Sequence, residues 1–283
     1  MSATNGSEGR IQWSRFFKKL SPYMIQKGLL YLKHYGPKEF WIRLHERFEP
    51  EEIPYGPWYA AYAPDQTVLD KQRKKKFAYS PLISVVVPAY RTPEAFLRQM
   101  IDSLEAQTDE NWELCIANGS PEDKTMEKVL EEYSSRDTRV HWQNLTENKG
   151  IAENTNAAFS MATGEFVGLL DHDDLLSPNA LFEIVNALNQ HEDGDVVYTD
   201  EDKVTEELDE HFQPHLKPDF NIDLLRSNNY ICHFFVARRQ LVEEVGGFRK
   251  EFDGAQDYDF IFRCVEKARE VVHVPEIVYH WST

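Results

Sequence analysis

The sequence lacks the glycine-rich signatures of two large nucleotide-using classes. No Gly-x-x-x-x-Gly-Lys-Ser/Thr run occurs, which disfavours a P-loop NTPase, and no Gly-x-Gly-x-x-Gly, which disfavours a dinucleotide oxidoreductase. Cysteine is scarce. Cys115, Cys232 and Cys264 lie far apart, an odd, scattered set that argues against a disulfide framework and for a reducing cytosol. No apolar run approaches the roughly 18–20 residues of a membrane span, and no signal-peptide pattern opens the sequence, so a soluble or peripheral protein is expected. Internal repeats and low-complexity tracts are missing too. So is any overall excess of positive charge: the formal net charge is −17, which argues against nucleic acid as a partner because phosphate binding needs a basic footprint.

Hydrophobic residues make up 41% of the 283 and aromatics 13%, enough to build a real core. The length suits one large α/β domain with an appendage, or two small domains. Charge is uneven. Residues 1–76 hold 14 Lys and Arg against 8 Asp and Glu, and the remainder 17 against 40. Residues 1–76 therefore read as a basic, aromatic-rich helical extension and linker, and 77–283 as the main domain.

Within the extension, residues 1–10 read as disordered. Trp13, Phe16, Phe17 and Leu20 fall at helical spacing. Ser21-Pro22 opens a second helix through about Tyr35, Gly36-Pro37 breaks it, and Phe40, Trp41, Leu44 and Phe48 mark a third. A Pro-rich passage and the basic run Lys71–Lys76 follow. These helices either pack on the main domain or rest on an anionic membrane surface, so the expected location is cytoplasmic, with peripheral contact to the inner membrane face as the second reading.

From Pro81 strand and helix signals alternate, which predicts a largely parallel sheet. The strands are 82–87 (stopped by Pro88), 112–117, 140–145, 164–170, 195–198, 233–236 and 271–274, with helices over 93–107, 126–133, 150–162, 178–191 and 256–267. Residues 206–221 show no periodicity and read as a loop. Cys115, inside the second strand, reads as a small buried hydrophobe.

The strand at 164–170 ends in Asp171-His172-Asp173-Asp174. Like charges this close are costly to bury unless a cation sits among them, and carboxylates suit Mg²⁺ or Mn²⁺. A solvated acidic loop capping the helix after Ser177-Pro178 is the plain alternative. In a parallel sheet every strand C-terminus lies on one edge. That edge collects Pro88-Ala89-Tyr90-Arg91, Asn118-Gly119-Ser120, the segment 144–150 and the acidic cluster. Tyr90 can stack on a flat ring, Arg91 and Lys149 can neutralise phosphate, and Asn118 can read a base edge. Gly150 opens a helix whose free amides favour an anion. Together these suit a nucleoside diphosphate with its metal.

These motifs resemble family 2 glycosyltransferases of the GT-A fold. The resemblance rests on Ile83–Tyr90, on Asn148-Lys149-Gly150 with Asn156, on Gly164-Glu165-Phe166 leading to Asp171–Asp174, and on Glu244–Phe248. Gln256-Asp257-Tyr258-Asp259 and Val278–Trp281 complete it. With Tyr198–Lys203 the chain looks most like the bacterial branch that builds O-antigens, capsules and rhamnose-containing wall polysaccharides. The resemblance covers about Pro81 to the C-terminus and leaves 1–76 out. It implies a Rossmann-like, mostly parallel sheet with helices on both faces, and inverting, metal-dependent transfer of a sugar from a UDP- or dTDP-sugar to a hydroxyl of a glycan or lipid-linked acceptor.

By the same resemblance Asp173 is the expected Mn²⁺ or Mg²⁺ ligand, Asp171 a ribose or metal contact, and His280 the residue completing the metal shell. Asp257 is the general base, with Asp259 as fallback. Pro88, Ala89, Tyr90 and Asn118 hold the nucleoside, and Arg91, Lys149, Gly150, Asn156 and His172 complete the donor site. Asp200, Glu201 and Asp202 face donor or acceptor, or else cap a helix or lie on the surface. His233 is either a donor contact or a satisfied histidine, and Lys203 offsets the acids. The chain departs from the family at Asn118-Gly119, where Asp-Asp is common, and at Thr155-Asn156, where Arg-Asn is common. A sugar nucleotidyltransferase is disfavoured by the absence of a Gly-rich loop after the first strand. A calcium- or glycan-binding module is disfavoured because the acidic cluster lacks EF-hand spacing.

Overall fold

β1 (Ile83–Ala89) lies within the parallel half of the sheet, and β-branched residues buried on both sides explain its composition. The computed structural model describes residues 22–48 and 54–283. β1 pairs in parallel with β2 (Trp112–Asn118) and β4 (Phe166–Leu169), and β3 (Val140–Asn144) adds to β2 in parallel. The strand runs through Pro88, past the expected stop. The β1–β4 pairing ends at Val86, so the missing Pro88 N–H faces a side where the ladder has closed.

The other half of the sheet mixes directions. β5 (Leu175–Leu176), β6 (Gly194–Val204), β7 (His211–His215), β8 (Phe235–Arg238) and β9 (Glu270–Ser282) complete a nine-stranded sheet of order β3-β2-β1-β4-β8-β6-β9-β5, with β7 paired to β6. β8 is antiparallel to β4 and β6, while β6 and β9 are parallel. Three expectations change here. β7 occupies part of the predicted loop, β6 runs on through all three acids at 200–202, and β9 runs on through Pro275. Bulges admit the proline. Thr199 pairs with Val274 and Asp200 with Ile277, so Pro275 and Glu276 stand outside the ladder.

Of the helices, α1 (Pro22–Phe48) has non-helical Gly36 (φ 81°, ψ 170°) at the expected break. The expected helix at 13–20 and residues 1–10 lie outside the described residues. On α1, Ile25, Leu29, Leu30, Tyr35, Trp41 and Ile42 are exposed, and among the described residues no helix is long and apolar enough to cross a membrane. α2 (Tyr55–Tyr62) and α3 (Gln66–Lys74) follow. The chain divides into compact units between Trp58 and Tyr59, and the basic run 71–76 therefore belongs with the second unit, where α3 buries Leu69.

α4 (Glu94–Glu105) turns Leu97, Met100, Ile101 and Leu104 inward at helical spacing. α5 (Lys124–Arg136) is capped by the Asp123 carboxylate, which accepts from Thr125 and Met126 N–H. α6 (Ile151–Phe159), α7 (Ala180–Leu188), α8 (Ile222–Ser227), α9 (Arg239–Val245) and α10 (Gln256–Val265) complete the set. Cys115 is buried in the apolar cluster beside α6, and burial pushes its thiol up to about 12.

At the far end of the sheet Asp195 accepts from Arg238 Nε at 2.8 Å and from Arg269 Nε and Nη2 at 2.8 and 2.7 Å. The Arg269 guanidinium, helped by Arg238, holds the carboxyl down at about 2 against its burial. A depressed carboxyl stabilises the fold above its ordinary value near 4, and the contribution is lost as pH falls toward 2. Asp195→Asn should therefore cost about 2 kcal/mol at pH 7. The gap from wild type should shrink between about pH 4 and 2, as read by urea unfolding at several pH values; a gap constant with pH would refute the account.

Candidate active site

A cleft of about 130 Å³ opens at the C-terminal edge of the parallel half. Pro88 from β1, Asp171 from the loop after β4, His233 from the turn before β8, and Gln256 and Asp257 from the start of α10 line it together. The predicted acid and the predicted base, 86 positions apart in sequence, thus meet at one cleft. Asp257 is in the first turn of α10, and Asn229 Nδ2 donates to its Oδ2 at 2.9 Å, which orients the carboxylate. Asp259 is taken. Its carboxylate is clamped by Arg249 and by Arg263 Nη2 at 2.8 Å and is 8% exposed, which removes the fallback base.

In the acidic loop, the Asp171 and Asp173 carboxylates are 41% and 48% exposed. His172 Nδ1 lies 3.7 Å from Asp173. Asp174 is buried, accepting from Tyr279 OH at 2.6 Å and Ser282 N at 2.9 Å. Burial pushes its carboxyl up to about 7, and the neighbouring Asp171 adds to the rise. Asp174 thus anchors the loop to β9 while Asp171 and Asp173 stay free for a ligand.

His280 does not join them. Its Nδ1 meets Asp202 Oδ1 at 2.5 Å and its Nε2 meets Ser177 Oγ at 2.7 Å. Alternation along β9 explains the correction. Tyr279 contacts Asp171 and Asp174, so His280 projects from the opposite face. The histidine on the cleft side is His233, whose Nε2 is 3.7 Å from Asp171 Oδ2 and whose ring stacks on Tyr279. Its buried Nδ1 has no partner among the described residues. The exposed Asp171 and Asp173 carboxylates offer oxygen donors that fit a hard divalent cation taking its remaining ligands from substrate phosphates.

Several predicted donor contacts are engaged within the protein. Asn118 is fully buried; its Oδ1 accepts from Ser120 N at 2.9 Å and its Nδ2 donates to Asn144 at 2.8 Å. It shapes the turn rather than offering an edge to a base. Asn156 bonds the Phe248 N–H and C=O, each at 2.8 Å, tying α6 to the Gly246-Gly247 turn. Gly247 has φ +68°, and a Cβ there would lie 2.6 Å from Asn156 Oδ1.

The α6 N-terminus already holds an anion. Asp253 Oδ1 accepts from Ala152 N at 3.1 Å, and a Cβ on Gly150 would lie 2.3 Å from Asp253 Oδ2. An anion there is favourable, as expected, but the protein's own carboxylate supplies it. Ala89 is buried at the end of β1. Arg91 lies over the half-exposed Tyr90 ring at 5.1 Å, and its N–H donates to Ser120 Oγ. Lys149 is exposed beside Gly150.

The three acids of β6 are buried and partnered, not displayed. Asp200 accepts from Lys217 N and meets His273 Nε2, both at 2.9 Å. Glu201 accepts from Lys217 Nζ at 3.0 Å and His233 N at 3.1 Å. Asp202 meets His211 and His280. Lys203 instead reaches Gln213; the cation that offsets these acids is Lys217. It is wholly buried, and its Nζ also donates to the carbonyls of Ile231 and His233. Burial lowers its pKa, and Glu201 opposes the fall. Lys217 and Asn229 are the supports that sequence reasoning missed, because nothing local marks a lysine or asparagine whose partners sit 16 to 28 residues away.

A parallel β3-β2-β1-β4 half joined to a mixed half, with an acidic loop leaving β4, defines the GT-A class of fold. The chain belongs to glycosyl transferase family 2, whose model matches residues 84–246. It is 34% identical over 231 residues to the O-antigen biosynthesis protein RfbC of Myxococcus xanthus, covering 82% of this chain but 18% of that protein. This chain thus spans less than a fifth of that relative's length. Among solved structures it resembles S. aureus TarS 1–349 in complex with UDP, with TM-score 0.59, 21% identity, and 71% of this chain and 60% of that one covered. It also resembles the mannosyltransferase PcManGT from Pyrobaculum calidifontis in complex with GDP-Man and Mn²⁺, with TM-score 0.53, 20% identity, and 75% and 61% covered.

Proposed function

We propose that this chain is an inverting glycosyltransferase domain of cell-surface polysaccharide synthesis. It would move a hexosyl or deoxyhexosyl group from a UDP- or dTDP-sugar to a hydroxyl of a glycan or lipid-linked acceptor. The observation that carries the reading is the shared cleft of Pro88, Asp171, His233 and Asp257. The family match, and the UDP and GDP-Man bound by the two structural neighbours, support a nucleotide-sugar donor.

Asp171 and Asp173 would hold a divalent Mn²⁺ or Mg²⁺, which when bound offsets charge on the departing diphosphate. Asp257 Oδ1, without a hydrogen-bond partner among the described residues while Oδ2 is held by Asn229, takes the proton of the acceptor hydroxyl. The acceptor oxygen then bonds to the anomeric carbon from the side opposite the leaving group, as the bond from that carbon to the diphosphate oxygen breaks. Configuration inverts, and the nucleoside diphosphate leaves. Pro88 walls the nucleoside end, and Tyr90 with Arg91 offers a ring and a cation at its rim.

The direct test incubates the protein with Mn²⁺ and UDP-, dTDP- or GDP-sugars, with and without glycan acceptors, and measures nucleoside diphosphate release. Release from one nucleotide class that an acceptor accelerates is expected. Nucleotide-sugar binding without release under any condition would instead favour a binding module.

A further inference from the structure

On the side of β9 away from the cleft, three strands send one side chain each to a single point. Asp202 comes from β6, His211 from β7 and His280 from β9. His280 Nδ1 is 2.5 Å from Asp202 Oδ1, and His211 Nδ1 is 2.9 Å from Asp202 Oδ2. One donor atom from each lies within 4.8 Å of the others, the sole such trio of His, Cys or acid groups among the described residues. Asp202 is fully buried, and His211 is 24% exposed. A cavity of about 420 Å³, walled by Leu175, Leu176, Val204 and Leu208, reaches both histidines.

Ser177 Oγ, His280 and Asp202 also line up as a hydrolase relay would. That reading fails for want of an oxyanion hole. The Ser177 N–H is bonded to Val278 C=O, and the next residue is Pro178, which has no N–H.

We propose that Asp202, His211 and His280 form a second metal site, for a zinc-class divalent cation. Two imidazoles and one carboxylate suit Zn²⁺ and its borderline neighbours, whereas the all-oxygen requirement of Mg²⁺ is unmet. Tetrahedral donors at zinc's bond lengths stand about 3.3 Å apart, so the two contacts to Asp202, at 2.5 and 2.9 Å, need to open by less than an ångström to admit the ion. Each imidazole then presents its Nδ1 lone pair and carries its proton on Nε2. The outer contacts already fit: His280 Nε2 meets Ser177 Oγ at 2.7 Å, which would fix that tautomer. The Tyr59 ring packs on His211 with centroids 4.1 Å apart. The cavity leaves the fourth position open. Such an ion would staple β6, β7 and β9, and the site stands independently of the transfer reaction.

Co²⁺ serves as the probe, because its visible absorption reports low-coordinate nitrogen ligation. Wild-type protein should take up one such equivalent, Asp173→Ala should bind it unchanged, and His211→Phe, which keeps the ring against Tyr59, should lose it. Zn²⁺ should raise the melting temperature of the first two proteins and not the third. Absence of low-coordinate Co²⁺ in the wild type, survival of the band in His211→Phe, or its loss in Asp173→Ala would each overturn the proposal.

Discussion

Asp257→Asn is expected to lower kcat by about a hundredfold to ten-thousandfold, the range for removing a positioned general base, while nucleotide-sugar affinity changes little. The substitution is nearly isosteric. Asn229 Nδ2 can still donate to the amide oxygen at the 2.9 Å position it now shares with Oδ2, and the α10 start loses only a modest dipole interaction. What disappears is the oxygen able to accept a proton. Titration calorimetry with the nucleoside diphosphate, beside steady-state kinetics, separates the two quantities. Near-wild-type turnover would remove Asp257 from the role of base. Asp259→Asn should behave differently, because that carboxylate holds Arg249 and Arg263 and its loss is felt first in stability.

Asp173→Ala should cut kcat/KM by at least about a hundredfold, the scale of losing one preorganised stabiliser of developing charge. A chelator should do the same to the wild type. The informative quantity is the combination: chelation of Asp173→Ala should add little, since groups acting through one ion are not additive. A chelator effect that persists undiminished in the variant would place the activating ion elsewhere. Asp174 is a poor substitute for this experiment, because its bonds to Tyr279 and Ser282 anchor the loop itself.

The parallel half of the fold was readable because each strand there is a short apolar run bounded by turn residues, and because its pairing follows chain order around β1. The mixed half was not. An Asp-Glu-Asp run reads as exposed loop when local burial is the only criterion. Here it continues β6, because Lys217, His273, His211 and His280 supply partners from up to 78 positions away. The same blindness affected the site. Asp171, Asp173 and Asp257 carried motif-level signals and meet at or beside one cleft. Asn118 and Asn156 carried signals just as strong, yet their polar atoms are spent on backbone and turn contacts. His280 was placed by motif alone, and motif order does not say which face of a strand a residue takes.

The bulges of β9 give that last point a wider meaning. From Thr199 to Glu201 β6 advances two positions while β9 advances five, from Val274 to Tyr279. This slack sets the phase of everything that follows, sending Tyr279 toward the acidic loop and His280 toward the cavity behind it. Loss of a single residue between 275 and 278 would shift the strand by one, bringing His280 to the place where the Tyr279 phenol anchors Asp174 and the Trp281 indole to the place beside Asp202. Substitutions in this strand can damage one site at a time, whereas a one-residue deletion damages both at once. The segment should accordingly tolerate changes of residue type far better than changes of length.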